Sequence, residues 1–239
     1  MGRGRGSPVI ALLAPAGTLV AGAELQLEPD ERHHLRVRRA RSGDPVRLLD
    51  GKGSVAAGLV QGEPNEGRIR LDSVEHRAAP AQLGLAVGAG DRDRFAWLVE
   101  KAAELGVTDL IPLETERTGG VSTRVRGEHI EKLQRRALEA IKQAGSAWAP
   151  TIHLPHTLAE LVARHRSGVR WLAELEGRRA EPPDPHAPVW IAVGPEGGFT
   201  EAEKLVLLDE GWVGVRLSGH TLRFETAAVA AAALAGLAR

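Results

Sequence analysis

The chain has 239 residues, of which 43% are apolar, with 31 Lys or Arg balancing 31 Asp or Glu and no cysteine. That length holds one large domain or two modest ones. The composition excludes disulfides, thiolate nucleophiles and cysteine-based zinc sites, and the zero net charge confines any nucleic-acid contact to a local patch.

Arg3 and Arg5 precede an apolar stretch over 9–16. Pro8, Pro15, Gly17 and Gly22 interrupt it, so it makes a poor secretory leader, and no apolar run reaches the roughly 18 residues that cross a bilayer. The lack of cysteine fits a reducing cytoplasm. Short apolar runs then alternate with turn residues. Leu25–Leu27, Pro45–Leu49, Val55–Val60 and Arg68–Leu71 read as strands, separated by Ser42-Gly43-Asp44, Asp50-Gly51-Lys52-Gly53 and Gly62-Glu63-Pro64-Asn65. Gly-rich punctuation of this kind is hairpin chemistry, and it predicts a small β-barrel over residues 1–77.

From residue 78 the period changes. Leu83–Val87 reads as a strand, and Asp91 caps a helix with apolar residues at Phe95, Leu98, Val99, Ala102 and Leu105, closed by Gly106. A strand over Thr108–Leu113 is followed by a helix placing Ile130, Leu133, Ala137, Ile141 and Ala144 on one face. Strands over Arg170–Leu175, Val189–Val193 and Val213–Leu217 come next, with helices starting at Thr200 and near Glu225. Strands alternating with helices predict a mostly parallel α/β domain over 78–239.

Three stretches carry candidate chemistry. In Val193-Gly194-Pro195-Glu196-Gly197-Gly198-Phe199-Thr200 a buried-looking strand enters a Gly-rich turn before a helix, and Thr200 with Glu203 has the spacing of a capping box. Ligands of open α/β sheets gather at such strand ends, although a well-capped strand-to-helix connection reads the same. In Leu217-Ser218-Gly219-His220-Thr221-Leu222-Arg223-Phe224-Glu225 another strand ends in a Gly loop. Arg223 suits a phosphate or a developing anion; Glu225 suits a proton acceptor or a helix start. The third is an arginine cluster, Arg32, Arg36, Arg38, Arg39 and Arg41, five in ten residues. It suits phosphate contacts, and a solvated helical face has the same look. His153 and His156 have a superficial metal spacing, but Pro155 between them and the lack of nearby carboxylates argue against a metal site. No phosphate-binding G-x-x-x-x-G-K-[ST] loop, G-x-S-x-G elbow or H-E-x-x-H pair occurs.

In this order, His33–Arg38 with Gly43-Asp44, Lys101–Val107, Pro112–Thr118, Gly194–Phe199 and Leu222–Ala227 resemble the bacterial 16S ribosomal RNA uridine N3-methyltransferases, the RsmE family of the SPOUT superfamily. The resemblance implies a PUA-like RNA-binding barrel followed by an α/β methyltransferase domain with a trefoil knot. It implies S-adenosylmethionine as cofactor, held by Leu172, Glu174, Gly194, Pro195, Glu196, Gly197, Gly198, Leu217, Gly219, Leu222 and Thr226. RNA contacts are implied at Arg32, His34, Arg36, Arg38, Arg39, Arg41, Lys101 and Arg117, with Arg223 and Glu225 as the catalytic pair. The implied partners are 16S ribosomal RNA or the small subunit and a second copy of the chain, packed through the Ala-rich final helix, with neither metal nor membrane. Two alternatives share these motifs: a related knotted ribose 2′-O-methyltransferase, and a non-catalytic RNA-binding protein of ribosome assembly. The chain departs from the family at two places, with Phe224 where the family usually has Thr, and Lys142 and Ser146 in a segment that usually reads Glu-Gln-Ser-Gly-Arg.

Overall fold

The structure, a computed structural model, describes residues 9–237; Arg3, Arg5 and Ala238 lie outside the described residues. The chain divides into two compact units, one running to Ala79 and taking in Ile141–Trp148, the other holding Pro80–Ala140 and Ala149 onward. A break at 77/78 therefore differs by two residues from this division and does not assign 141–148 to the first unit.

The first unit contains β1 (Ile10–Leu13), β2 (Glu24–Gln26), α1 (Pro29–Val37), β3 (Pro45–Leu49), β4 (Ser54–Gln61) and β5 (Arg68–His76). Its sheet runs β1-β3-β4-β5-β2, with β1 parallel to β3 and the other pairs antiparallel. Among the described residues β1 and β2 are the two ends of this strand order. Alternating residues point inward, giving a core of Leu12, Val46, Leu48, Val60, Ile69 and Leu71, completed by Leu35 from α1. At the β3–β4 turn, the Asp50 carboxylate accepts from Lys52 N–H at 2.8 Å and Ser54 N–H at 2.9 Å.

Ile141–Trp148 is knitted into this unit. Gly53 N–H donates to Ala147 O at 2.9 Å, and Trp148 Nε1–H donates to Ala78 O at 3.0 Å. The half-buried Lys142 ammonium meets the buried Glu31 carboxylate at 2.9 Å. Lys142, a departure from the family pattern, thus has a structural partner, and Ser146 folds its hydroxyl onto Trp148 O at 2.8 Å.

The second unit holds β6 (Leu83–Gly88), α2 (Arg92–Glu104), β7 (Asp109–Glu114), α3 (Ile130–Ala144, its last turn in the first unit), β8 (Thr151–Ile152), β9 (His156–Thr157), α4 (Leu158–Arg164), β10 (Val169–Arg179), β11 (Val189–Val193), α5 (Glu201–Asp209), β12 (Val213–Arg216) and α6 (Phe224–Gly236). Its sheet is parallel throughout, in the order β12-β10-β11-β6-β7-β8, with β9 on β7. Both faces are covered, so β6 and β11 are buried at every position. Side-chain alternation sends Leu83, Leu85, Val87, Val189, Ile191 and Val193 to a core shared with α2 and α6. It sends Ala86, Trp190 and Ala192 to the opposite core, with Leu161 and Leu207. On that second face the His165 ring stacks on Trp190, centroids 3.6 Å apart.

The helix signals act as read. Asp91 accepts from Asp93 N–H at 2.9 Å and Arg94 N–H at 3.0 Å. In α3, Leu133, Ala137 and Ile141 are buried, whereas Ala144, expected on the same face, is exposed. No described helix is long and apolar enough to cross a membrane.

Candidate functional site

A cavity of 370 Å³ opens in the second unit, within the range of small-molecule sites. Its wall comes from three neighbouring strands: Leu172–Leu175 of β10, where its pairing with β11 stops, Val193–Phe199 from the end of β11 onward, and Arg216–Ser218 with His220–Leu222 from the end of β12 onward. These strands lie side by side in the order β12-β10-β11, so the cavity sits at the carboxyl ends of β11 and β12, where such sheets take their ligands.

The turn between β11 and α5 has no room for a side chain at its first position, Gly194. A Cβ on Gly194 would lie 2.6 Å from Phe199 N and 2.8 Å from the Gly198 carbonyl carbon, both rigid backbone. Gly198 has φ +73°, the left-handed region open to glycine, and its N–H closes on Pro195 O at 2.8 Å. The turn is anchored on α5. Thr200 Oγ1 accepts from Glu203 N–H at 3.3 Å, and the Glu203 carboxylate accepts from Thr200 N–H at 2.8 Å. The other Glu203 oxygen accepts from Glu116 N–H at 2.8 Å, which holds the loop after β7. That loop brings Arg117 to the cavity, its guanidinium donating to Gly198 O at 3.4 Å.

The wall is mixed in character. Leu172, Val193, Leu217, Leu222, Phe224 and Ala227 are apolar; Glu174, Glu196 and Glu201 are acidic; Arg117, Lys204 and Arg216 are basic. Lys204 bonds Glu201 at 2.7 Å, and that hydrogen bond raises the ammonium above its ordinary range. Glu174 lies against Gly214, where a Cβ would overlap its carboxylate.

Of the residues implied for a cofactor, Leu172, Glu174, Gly194, Pro195, Glu196, Gly197, Gly198, Leu217 and Leu222 line this one cavity; Gly219 and Thr226 do not. Arg223 and Glu225, expected as the catalytic pair, are also absent from the wall, although Leu222 and Phe224 on either side of Arg223 are on it. Arg223 is exposed as the N-cap of α6, while Glu225 is buried with Oε2 lacking a hydrogen-bond partner. Arg117, implied as an RNA contact, lines the cavity as well. Lys101, implied with it, is paired to Glu104 at 2.6 Å. Sequence reasoning missed Lys204, Arg216 and Phe224. Of these, only Phe224 left a signal, as a large apolar departure at a polar family position.

In the first unit, the arginine cluster occupies α1 and the turn after it. Arg36, Arg38, Arg39 and Arg41 are exposed and His34 is half-buried. Arg32 is folded inward, its stem over Gly67 and its Nε buried without a hydrogen-bond partner. His153 bonds Asp109 at 2.8 Å, and burial with a nearby Arg164 holds the His156 imidazole below its ordinary range. Among the described residues no group of three potential ligands could hold a metal ion.

Comparison with known proteins agrees with this layout. An RNA methyltransferase domain model matches residues 77–236, and an RNA methyltransferase PUA domain model matches residues 27–72. Ribosomal RNA small subunit methyltransferase E of Synechocystis is 29% identical over 92% of this chain and 75% of its own length. The Aquifex aeolicus protein of the same name is 28% identical over 87% of this chain and 92% of its own. A ribosomal RNA small subunit methyltransferase E from Neisseria gonorrhoeae, solved bound to S-adenosyl methionine, superposes with a TM-score of 0.83 at 25% identity, covering 95% of this chain and 96% of that one. With one domain model spanning well over half its length, the chain belongs to the RNA methyltransferase family.

Proposed function

We propose that this chain uses S-adenosylmethionine to methylate 16S ribosomal RNA of the small subunit, at N3 of a uridine, in the cytoplasm. The observation that carries the reading is the cavity itself, where nine of the residues implied for the cofactor meet at three adjacent strands. The residues fit that cofactor. Apolar walls at Leu172, Val193 and Leu222 suit an adenine, the Gly194–Gly198 turn offers backbone polar groups at close range, and Glu174, Glu196 and Glu201 suit a ligand with two cationic groups.

Bound there, S-adenosylmethionine supplies a methyl group carried on sulfur and open to attack by a nucleophile. The protein's task is then to orient the base and to favour its N3 anion. A cation near the uracil oxygens stabilises the negative charge left when the N3 proton departs. Arg223 is the proposed cation: it is exposed, no described carboxylate pairs with it, and both its chain neighbours face or adjoin the cavity. Glu225 is held inside the fold, away from the wall, which weakens its claim as the base, because a base must reach the proton it removes.

The same proposal includes RNA contacts by the exposed arginines after α1, a homodimer, and the knot implied by the family. Supporting the knot, β10 and β11 are parallel neighbours joined by residues 180–188 without a helix, whereas parallel neighbours usually need a helical crossover. The test is transfer of labelled methyl from S-adenosylmethionine to 16S ribosomal RNA by purified protein, with nucleoside analysis of the digest. N3-methyluridine is the expected product. A ribose 2′-O-methyl nucleoside would move the chain to the alternative chemistry, and no transfer to naked RNA or small subunits would leave an RNA-binding assembly protein.

A further inference from the structure

The segment Thr115–His129, between β7 and α3, borders the cavity through Arg117 and is fastened on two sides. Toward α5, Glu116 N–H is held by Glu203 and the Arg117 guanidinium by Gly198 O. Toward β6, Val125 N–H donates to Ala89 O at 3.0 Å and the Thr123 hydroxyl to Gly90 O at 2.9 Å; Thr123 O accepts from Arg92 N–H at 3.0 Å. Within the segment, Arg124 reaches back to Gly119 O at 2.7 Å. The segment is therefore a fixed arch.

Its charge is one-sided. From Arg117 to Gly127 there are three arginines, at 117, 124 and 126, and no carboxylate. The nearest acids in sequence are Glu114, Glu116 and Glu128, and Glu128 faces His129 at 3.5 Å. Among the described residues, none of the three arginines takes part in an ion pair within 4 Å, whereas Arg94 and Arg136 nearby are both paired. Arg124 Nε is buried without a hydrogen-bond partner. Three permanent cations on one fastened segment, with no carboxylate partner among the described residues, suit a polyanion whose charges repeat along a strand. The segment adjoins the cavity at Arg117, so a polymer that delivers one nucleotide there has its neighbouring phosphates within reach of this part of the fold.

We propose that the Arg117–Arg126 arch is a second RNA-contact surface, separate from the arginines after α1, which grips the phosphates flanking the nucleotide presented to the cavity. This rests on the RNA-methyltransferase reading. The test is binding of a 16S ribosomal RNA transcript at a series of salt concentrations. The double variant Arg124→Gln with Arg126→Gln should bind about tenfold more weakly at low salt, and its log–log salt slope should flatten by about 1.4 to 1.8, two phosphate contacts' worth. Its S-adenosylmethionine affinity should be unchanged, since neither residue lines the cavity. Arg124→Lys with Arg126→Lys should keep the slope, which separates charge from the Arg124–Gly119 bond. If the glutamine pair does not fold, Arg126→Glu alone should show the weakened, flattened binding. A folded glutamine variant, or Arg126→Glu, with the wild-type slope would overturn the arch. Binding reads the arch apart from chemistry: methyl transfer with an unaltered slope removes the arch alone, and arch-dependent binding without transfer removes the enzymatic reading alone.

Discussion

Residues 222–225 show how finely the wall is divided. Leu222 and Phe224 face the cavity, Arg223 is exposed and Glu225 is buried. Phe224 also belongs to the core between the sheet and α6, so the family's usual Thr is replaced by a side chain that packs inward and lines the site at once. From this placement, Arg223→Ala should slow methyl transfer by about tenfold, or 1.4 kcal/mol in the barrier, with the protein still folded. Glu225→Gln should change single-turnover rates by no more than about twofold between pH 6 and 9. A large fall that shrinks as pH rises would return Glu225 to the role of base, because free uracil anion would then substitute for it. The sequence brought nine cofactor-type residues to one cavity, but it could not tell which face of an extended segment each side chain takes. Arg223 and Glu225 accordingly stand beside the wall rather than on it, and Arg117's place on it depends on Glu203 holding a loop 87 residues away.

At the scale of elements, the legible parts were those with local causes. Asp91 and Thr200 start their helices by capping, and β6 and β11 announce burial on both faces through continuous apolar runs. Less legible were α1, whose polar, arginine-rich sequence buries only Glu31 and Leu35, and β1, whose interrupted apolar run is not marked as a strand by the sequence and becomes one through its pairing with β3. Lys142 of α3 illustrates a tertiary cause. It compensates the buried Glu31 carboxylate, and removing it leaves that charge without its cation, so Lys142→Ala should cost about 3 kcal/mol by urea unfolding. Lys142→Met combined with Glu31→Leu should recover most of that loss; equal losses in both variants would mean that the pair is not the cause. The His165–Trp190 stack gives a pH test. Burial lowers the His165 pKa below its ordinary 6.5, and burial lowers His156 as well. The unfolded chain therefore binds protons first on acidification, so stability is full above 6.5 and is lost as pH falls through the folded values. For Asp109, burial alone would raise the carboxyl, but hydrogen bonds from His153, Thr108 and Gln82 outweigh it and hold it low; its stability is lost only in more acid solution. Urea midpoints should thus drop between pH 7.5 and 5.5, and His165→Phe, which keeps a ring on Trp190, should shrink the drop. An identical drop in both proteins would exclude His165 as a contributor.

For the whole molecule, the parallel sheet brings three adjacent strands to one cavity, while α2 and α6 cover one face of the sheet. The order β12-β10-β11-β6-β7-β8 was not readable from the chain, because hydrophobic periodicity identifies strands and is silent on which of them are neighbours. Along α6, Val229, Ala230, Ala233 and Leu234 remain half-buried, small enough for close helix packing against a second copy. Sedimentation equilibrium should give twice the chain mass of 25.5 kDa, and Ala233→Glu should shift the protein toward monomer; a monomeric wild type would remove the dimer from the proposal. The central claim is that the cavity at β10 and the ends of β11 and β12 holds the methyl donor. Gly197 tests it most directly, because a side chain there meets only the flexible Arg117, at 3.0 Å, and can be added without breaking the turn. Isothermal calorimetry should show S-adenosylmethionine binding by the wild type and none by Gly197→Val with an unchanged circular dichroism spectrum. Undiminished binding by that folded variant, or no binding by the wild type, would contradict the account.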